Sequence, residues 1–428
     1  MERRRFIVGA GAVLAAPLVR MAPPPNPLRV NAARLNGWLD RFDRIGRTPG
    51  GINRVGYSEL DLSGREFALG LFRDAGLPPH IDPAGNISGR MNGTDPSLAP
   101  IVIGSHIDSV TDGGNFDGPV GSFAAIEVIR TLQEQGRRLR HPVEAVIWAN
   151  EEGGLIGSRL AVGNTTDLDL VSRSGFTTRD GIVRIGGRPD RLEDGVRSRG
   201  SAACYIELHI EQGGRLEQER RQIGVVQGIV GLRWIDITVR GMANHAGTTP
   251  MDQRQDAMVA AARFITAVNE IVRAEPGRQV ATVGRLVPVP NTRNVIPGEV
   301  NLSVDLRDIS EATLDRFTAR FEGVAREIGD ATGTTFALRT ANASAPALAD
   351  GGIMSLIDAS AAALGLSRQA MPSGAGHDAQ QLARIAPMGM IFVPSVGGIS
   401  HAPQEFTHAE DVAHGADVLL NAVLAADQ

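Results

Sequence analysis

The stretch Gly104-Ser-His-Ile-Asp-Ser-Val-Thr-Asp-Gly-Gly-Asn-Phe-Asp-Gly-Pro-Val-Gly121 limits what this chain can fold into more than any other. It grows out of the hydrophobic run Ile101-Val-Ile, which reads as a buried strand. Pro119 stands where the first turn of a helix would begin, and Ser122 to Leu132 are mostly apolar or helix-forming. A strand, a Gly- and Asp-rich loop and a helix, in that order, are how an open α/β sheet builds a site at its carboxyl edge. His106 and Asp117 are residue types that hold metals. His106 and Asp108 stand two apart, so an extended backbone turns both the same way, the spacing of an imidazole and the carboxylate that orients it. Asp117 has two oxygens and is able to bridge two cations. Such a trio is also ordinary turn and capping chemistry, so the rest of the chain must decide.

Composition removes several chemistries. All 43 basic residues are Arg, so Schiff-base and Lys-base mechanisms are excluded. The single cysteine, Cys204, rules out an intrachain disulfide and a thiolate metal cage, and its strand-like flanks assign it a buried structural place. A net charge of −5 without a basic patch argues against nucleic acid and anionic membrane as partners.

At 428 residues the chain is longer than one ordinary domain and suggests two. Helical period runs over 31–45, with Leu35, Trp38, Leu39 and Phe42 on one stripe, and a second helix starts at Ser58 and ends at Gly76. Val143 to Trp148 is a buried strand that delivers Asn150-Glu151-Glu152-Gly-Gly. Tyr205 to Ile210 is another, carrying Glu207 and His209 and leading to Glu211-Gln212-Gly-Gly. After Gly224 the pattern changes: one-sided strands at 232–240, 279–288, 300–307 and 334–339 alternate with helices at 255–273 and 311–328. The order β-α-β-β-α-β is the ferredoxin-like pattern. The expected organisation is α/β, with a catalytic domain of residues 29–224 and 341–428 interrupted by an inserted domain of residues 225–340. The first domain resumes with a helix at 352–364 and a strand at 388–393.

Strand-end positions in the outer segments supply His106, Asp117, Glu152 and His209, and the late loop Ser395-Val-Gly-Gly-Ile-Ser-His401 adds one more imidazole. Two cations sharing Asp117 would take His106 with His209 on one side and Glu152 with His401 on the other. Open positions then remain for water and substrate, as a two-metal hydrolytic site requires. Mixed imidazole and carboxylate donors suit zinc, manganese, cobalt or nickel without choosing among them. His80, His141, His408 and His414 read as surface or packing residues, and His377 as intermediate.

Eight motifs in order now carry a resemblance: Gly104-Ser-His-Ile-Asp, Gly114-Asn-Phe-Asp-Gly-Pro-Val-Gly, Glu151-Glu-Gly, His209-Ile-Glu-Gln-Gly, Asn244-His-Ala-Gly-Thr-Thr-Pro-Met, Asn291-Thr-Arg-Asn-Val-Ile-Pro-Gly, Ser373-Gly-Ala-Gly-His-Asp-Ala and Gly397-Gly-Ile-Ser-His. From Arg29 to the C-terminus the chain resembles the hydantoinase/carbamoylase branch of the dinuclear-metal, aminopeptidase-like amidohydrolases. That resemblance implies an aminopeptidase-like catalytic domain, an inserted ferredoxin-like lid that dimerises, two divalent metal ions per chain and cleavage of a linear ureido amide. It makes Glu151 the general base, Asp108 the partner of His106, and Gln212, His245, Asn294 and Arg307 substrate contacts. Arg307, with its planar fork, is the expected clamp for a substrate carboxylate, although a strand-face ion pair with Asp305 or Asp308 is its other use. The implied substrate is an N-carbamoyl-L-amino acid; allantoate, a β-ureido acid, a peptide or a binding role without catalysis are the alternatives. His209 speaks against the peptide, because the aminopeptidase branches resemble this chain with a carboxylate there.

The N-terminus, 1–28, is expected to lie outside the fold. Arg3-Arg-Arg-Phe-Ile resembles a twin-arginine export signal, followed by an uncharged run too short to span a bilayer and then a Pro-rich linker. Glu2 and Val8 depart from that pattern. The expectation is export to the periplasm without a membrane anchor in the mature protein.

Overall fold

The computed structural model describes residues 27–427, so the export-signal expectation lies almost wholly outside the described residues. Four strands run parallel at the centre of the larger of two main sheets, in the order Met388–Val393, Cys204–Ile210, Ile101–His106, Val143–Trp148. Every residue of Ile101–His106, Cys204–Ile210 and Met388–Val393 is buried, as strands covered on both faces must be. Antiparallel strands flank these four, Ile87–Met91 and His80–Ile81 on one side and Ile223–Ile229 on the other, and Arg368–Ser373 pairs in parallel with the last of these. Because the central strands are parallel, their carboxyl ends all open on one edge, and His106, Glu151, His209 and Ser395 follow from there.

The helix Pro119–Glu134 lies against this sheet, and Pro119 sits in its first turn. Thirteen of its residues are buried, from Pro119 to Leu132, so it is apolar nearly all round. Its neighbour Gly118 has φ 84, and a Cβ there would fall 2.5 Å from the His106 ring. Gly121 passes so close to the central strand that a Cβ would lie 2.0 Å from the Leu208 carbonyl oxygen. Small residues therefore let the ligand-bearing loop and its helix sit directly on the sheet.

The second main sheet has four antiparallel strands in the order Val280–Val289, Glu299–Asp308, Gly231–Arg240, Thr335–Ser344. Strict alternation along Gly231–Arg240 and Glu299–Asp308 sends Ile235, Ile237, Val239, Val300, Leu302 and Val304 to one face. The helices Ala257–Arg273 and Glu311–Thr332 cover that face with Phe264, Phe317 and Phe321. The boundary expected between 224 and 225 falls inside the strand Ile223–Ile229, which pairs with Met388–Val393 in the larger sheet. The smaller sheet starts at Gly231 and runs to Ser344, beyond the expected 340, because alternation marks a strand but does not say which sheet it joins.

Gly121→Ala is expected to lower stability by at least the ~1–3 kcal/mol typical of overpacking, since a backbone carbonyl cannot move aside. Gly70→Ala, in the helix Glu59–Asp74 with nothing within 4 Å of the new methyl, should be neutral or stabilising. Thermal denaturation of both variants checks the pair.

Candidate metal centre

Asp117 is the hub of the site and is 6% exposed. Its Oδ1 lies 3.1 Å from His209 Nε2 and 3.7 Å from His106 Nε2. Its Oδ2 lies 3.1 Å from His401 Nε2, which is in turn 3.3 Å from Glu152 Oε1. Thus His106, Asp117 and His209 form one donor group, and Asp117, Glu152 and His401 a second. Glu207, His209 and His377 form a third set around the same imidazole.

Tautomers show what these groups can hold. His209 Nδ1 donates to the Ile210 carbonyl at 2.9 Å, and His106 Nδ1 to the Asp108 carbonyl at 3.1 Å. A carbonyl only accepts, so each Nδ1 carries the proton and each Nε2 presents a lone pair towards Asp117. Among the described residues His209 Nε2 is buried with no hydrogen-bond partner. Lone pairs converging on a buried carboxylate call for a proton or a cation between them. Three carboxylates, Asp117, Glu151 and Glu152, line the ≈ 270 Å³ cavity, and its one Arg, Arg307, is already paired with Asp305. Buried charge of this kind is found where metals bind. Donor chemistry and geometry therefore fit divalent cations.

Charge around the hub shifts the groups strongly. Burial opposes ionisation of Asp117, but contacts from His106, His209 and His401 hold its carboxyl well below the usual carboxylate range. Burial, reinforced by Asp378, Glu152 and Asp108 against the pull of His106, pushes Glu151 well up. His401 is raised to about 10 by its contacts with Asp117 and Glu152. Bound cations would pull the Glu151 carboxyl back down and keep the Asp117 carboxyl ionised.

The surrounding backbone is held in unusual conformations. Asn150, Gln212 and His401 adopt left-handed φ of 51, 57 and 54, and such residues cluster at functional sites. Gln212 donates its side-chain amide to Asp117 Oδ2 at 2.7 Å, and its own oxygen has no partner among the described residues. Glu151 approaches His106 Nε2 at 3.8 Å and is 8% exposed.

One expectation needs correction, and the structure adds detail to two others. The Asp108 carboxylate does not bond the His106 ring, which is 3.7 Å away; it accepts the amides of Glu151 and Glu152, both at 3.1 Å. Asp108 braces the Glu pair, and its carbonyl orients His106, because the chain turns immediately after the strand. Arg307 reaches the cavity, but its fork is engaged: Nε and Nη2 each meet Asp305 at 3.0 Å, and Nη1 donates to the Gly374 carbonyl at 2.9 Å. His245 and Asn294, expected as substrate contacts, lie outside the cavity of their own chain. They sit exposed on a short ribbon in which His245 pairs with Val295, fed by the smaller sheet. Cys204 is buried as expected, and burial pushes its thiol up to about 12.

Glu405 was missed. It is 5% exposed, accepts the amides of Phe116 and Asp117 at 2.9 and 3.0 Å, and receives the Ser400 hydroxyl at 2.8 Å. One carboxylate therefore fixes both the Asp117 loop and the His401 loop, and only its place four residues after His401 hinted at this. Buried Arg54 was missed too; it ties the Ile107 carbonyl to the Asn115 side chain, joining the loops of His106 and Asp117.

Such a sheet, with buried imidazoles and carboxylates gathered at its carboxyl edge, defines a metal-dependent hydrolase. The chain belongs to peptidase family M20/M25/M40, whose sequence profile matches residues 102–425. Within that class it is similar to a hydantoinase/carbamoylase family amidase from Burkholderia multivorans, with 38% identity, a TM-score of 0.86, and 93% of this chain and 98% of that one covered. It is 38% identical over 402 residues to an N-carbamoyl-L-amino acid amidohydrolase of Geobacillus stearothermophilus, covering 92% of this chain and 98% of that protein. A ureidoglycolate hydrolase of Arabidopsis thaliana is 34% identical, covering 92% and 86% respectively.

Glu405→Gln keeps the shape, but with Oε1 still accepting the Phe116 and Asp117 amides its new NH2 stands where Oε2 accepts from the Ser400 hydroxyl and the His401 amide. Metal affinity should fall by the ~10–100-fold typical of losing an outer carboxylate, with secondary structure unchanged. Chelator competition monitored by elemental analysis checks this; unaltered retention would mean that Glu405 only closes the loops.

Proposed function

We propose that this amidohydrolase removes the carbamoyl group of N-carbamoyl-L-amino acids, cleaving the bond between the ureido carbon and the amino-acid nitrogen. The observation that carries the reading is Glu151, a buried carboxylate beside two donor sets that share Asp117, in one cavity with Arg307. His106, Asp117, Glu152, His209 and His401 would hold two divalent cations (zinc, manganese, cobalt or nickel), which when bound would supply Lewis-acid chemistry to a water and the ureido carbonyl. Glu151 takes a proton from the attacking water and returns it to the leaving nitrogen. Gln212 contacts the ureido group. Of the five N–H donors of Arg307, three are engaged, which leaves two for the substrate carboxylate.

Residues 231–344 act as a ferredoxin-like lid through which two chains pair, and His245 with Asn294 reaches the partner's cavity. The geometry of His245 supports a donor role. Its Nδ1 accepts the amides of Gly247 and Thr248 at 3.0 and 3.1 Å, so in the neutral ring Nε2 carries the proton. That N–H suits the oxygen that becomes negative as water adds. The twin-arginine segment exports the protein, and among the described residues no helix is long and apolar enough to cross a membrane.

Metal-reconstituted protein assayed on N-carbamoyl-L-amino acids, allantoate, ureidoglycolate and dipeptides is expected to favour the first class by kcat/KM. Glu151→Gln should lower kcat by ~10²–10⁴-fold with metal content intact. A preference for dipeptides, or loss of metal from the variant, would sink the assignment.

Mixing inactive Glu151→Gln chains with inactive His245→Ala chains, under exchange conditions, should restore activity, because each mixed dimer then holds one intact site. Proven exchange without recovery would mean that His245 does not act across the subunit interface.

A further inference from the structure

The smaller sheet buries one face under its helices and leaves the other open. Direct cross-strand pairing puts Asn342, Trp234, Asp305 and Thr282 in one row on that open face, with Arg307 and Val280 in the next. Trp234 is 44% exposed, whereas Trp38 and Trp148 are 4% and 1%. A large indole left open on a sheet face is informative when it faces a concavity. It does: a cavity of ≈ 590 Å³ is lined by Trp234, Val280, Thr282, Ala341, Arg307 and Gly374 among others.

Two bulges shape this hollow. Pairing slips between Val283 and Arg285 on one outer strand and between Thr340 and Asn342 on the other. The extra residues, Gly284 and Ala341, both line the cavity. They flank a single row, one on each side of it: Val283 lies opposite Val304, Thr340 opposite Ile235, and those two opposite each other. Bulges this close together bend both outer strands beside one row and make the open face a trough.

The trough adjoins the metal centre. Arg307 lines both cavities, and Gly374, which accepts from Arg307 Nη1 at 2.9 Å, precedes the Ala375 and Gly376 that line the smaller one. A substrate carboxylate held by Arg307 would leave its α-carbon at the mouth of the trough. We infer that the trough receives the substrate side chain and selects large apolar or aromatic groups, which stack on Trp234 and lie along Val280 and Thr282. A glycine or alanine side chain would leave it unfilled. This inference rests on the amidohydrolase reading and adds a specificity to it.

The test compares N-carbamoyl-L-phenylalanine with N-carbamoylglycine in wild type, Trp234→Ala and Thr282→Phe. Trp234 and Thr282 project away from the helix-covered core, so both variants should fold, with circular dichroism as the check. Losing the stacking surface, or filling the trough, should cut kcat/KM for the phenylalanine derivative by ~10–100-fold and for the glycine derivative by less than about threefold. Equal losses on both substrates, or none on the aromatic one, overturn the inference. If wild type turns over no N-carbamoyl amino acid, the amidohydrolase reading falls separately, and binding still judges the trough. Quenching of Trp234 fluorescence by N-carbamoyl-L-phenylalanine but not by N-carbamoylglycine, absent in Trp234→Ala, supports it; no quenching in wild type overturns it.

Discussion

A single buried carboxylate placed between two sets of imidazole and carboxylate donors is the constraint on which this molecule turns. Asp117 offers Oδ1 to His209 and His106, and Oδ2 to His401. Neither oxygen can be lost without unpairing one side, so the loop that carries Asp117 has to be held from every direction. Glu405 grips its amides, Arg54 anchors neighbouring Asn115, and Gly118 lets the His106 ring approach the helix start. The buried helix from Pro119 then passes that rigidity to the central strands.

The Glu pair is fixed by the same logic. Asp108 spends its carboxylate on the amides of Glu151 and Glu152, so the loop bearing the proposed base is tied to the loop bearing His106. Left-handed backbone at Asn150, Gln212 and His401 survives because such ties over-determine it. Near the cavity Arg307, carried by the smaller sheet, donates to the Gly374 carbonyl, so the residue that reaches the cavity also ties the two sheets together.

The smaller sheet shows how a plain β pattern becomes a surface with a purpose. Alternation alone secures its helix-covered face. What makes the open face concave is two extra residues in outer strands, and they come to flank one row only once the strands are paired.

Much was legible in the chain itself. Apolar runs of five or six residues mark parallel strands because both faces are covered, and 143–148 and 388–393 match the observed strands residue for residue. Ligand types at those strand ends single out His106, Asp117, Glu152, His209 and His401, because few other positions put imidazole or carboxylate after a buried strand. Sequence spacing carries no information across long separations, and there the tertiary structure decided. It moved the strand 223–229 into the larger sheet, engaged the Arg307 fork with Asp305 and gave the Asp108 carboxylate to the Glu amides. It also brought Glu405 under Asp117 from 288 residues away. Each of these is a choice among partners that only a folded chain brings within hydrogen-bond distance.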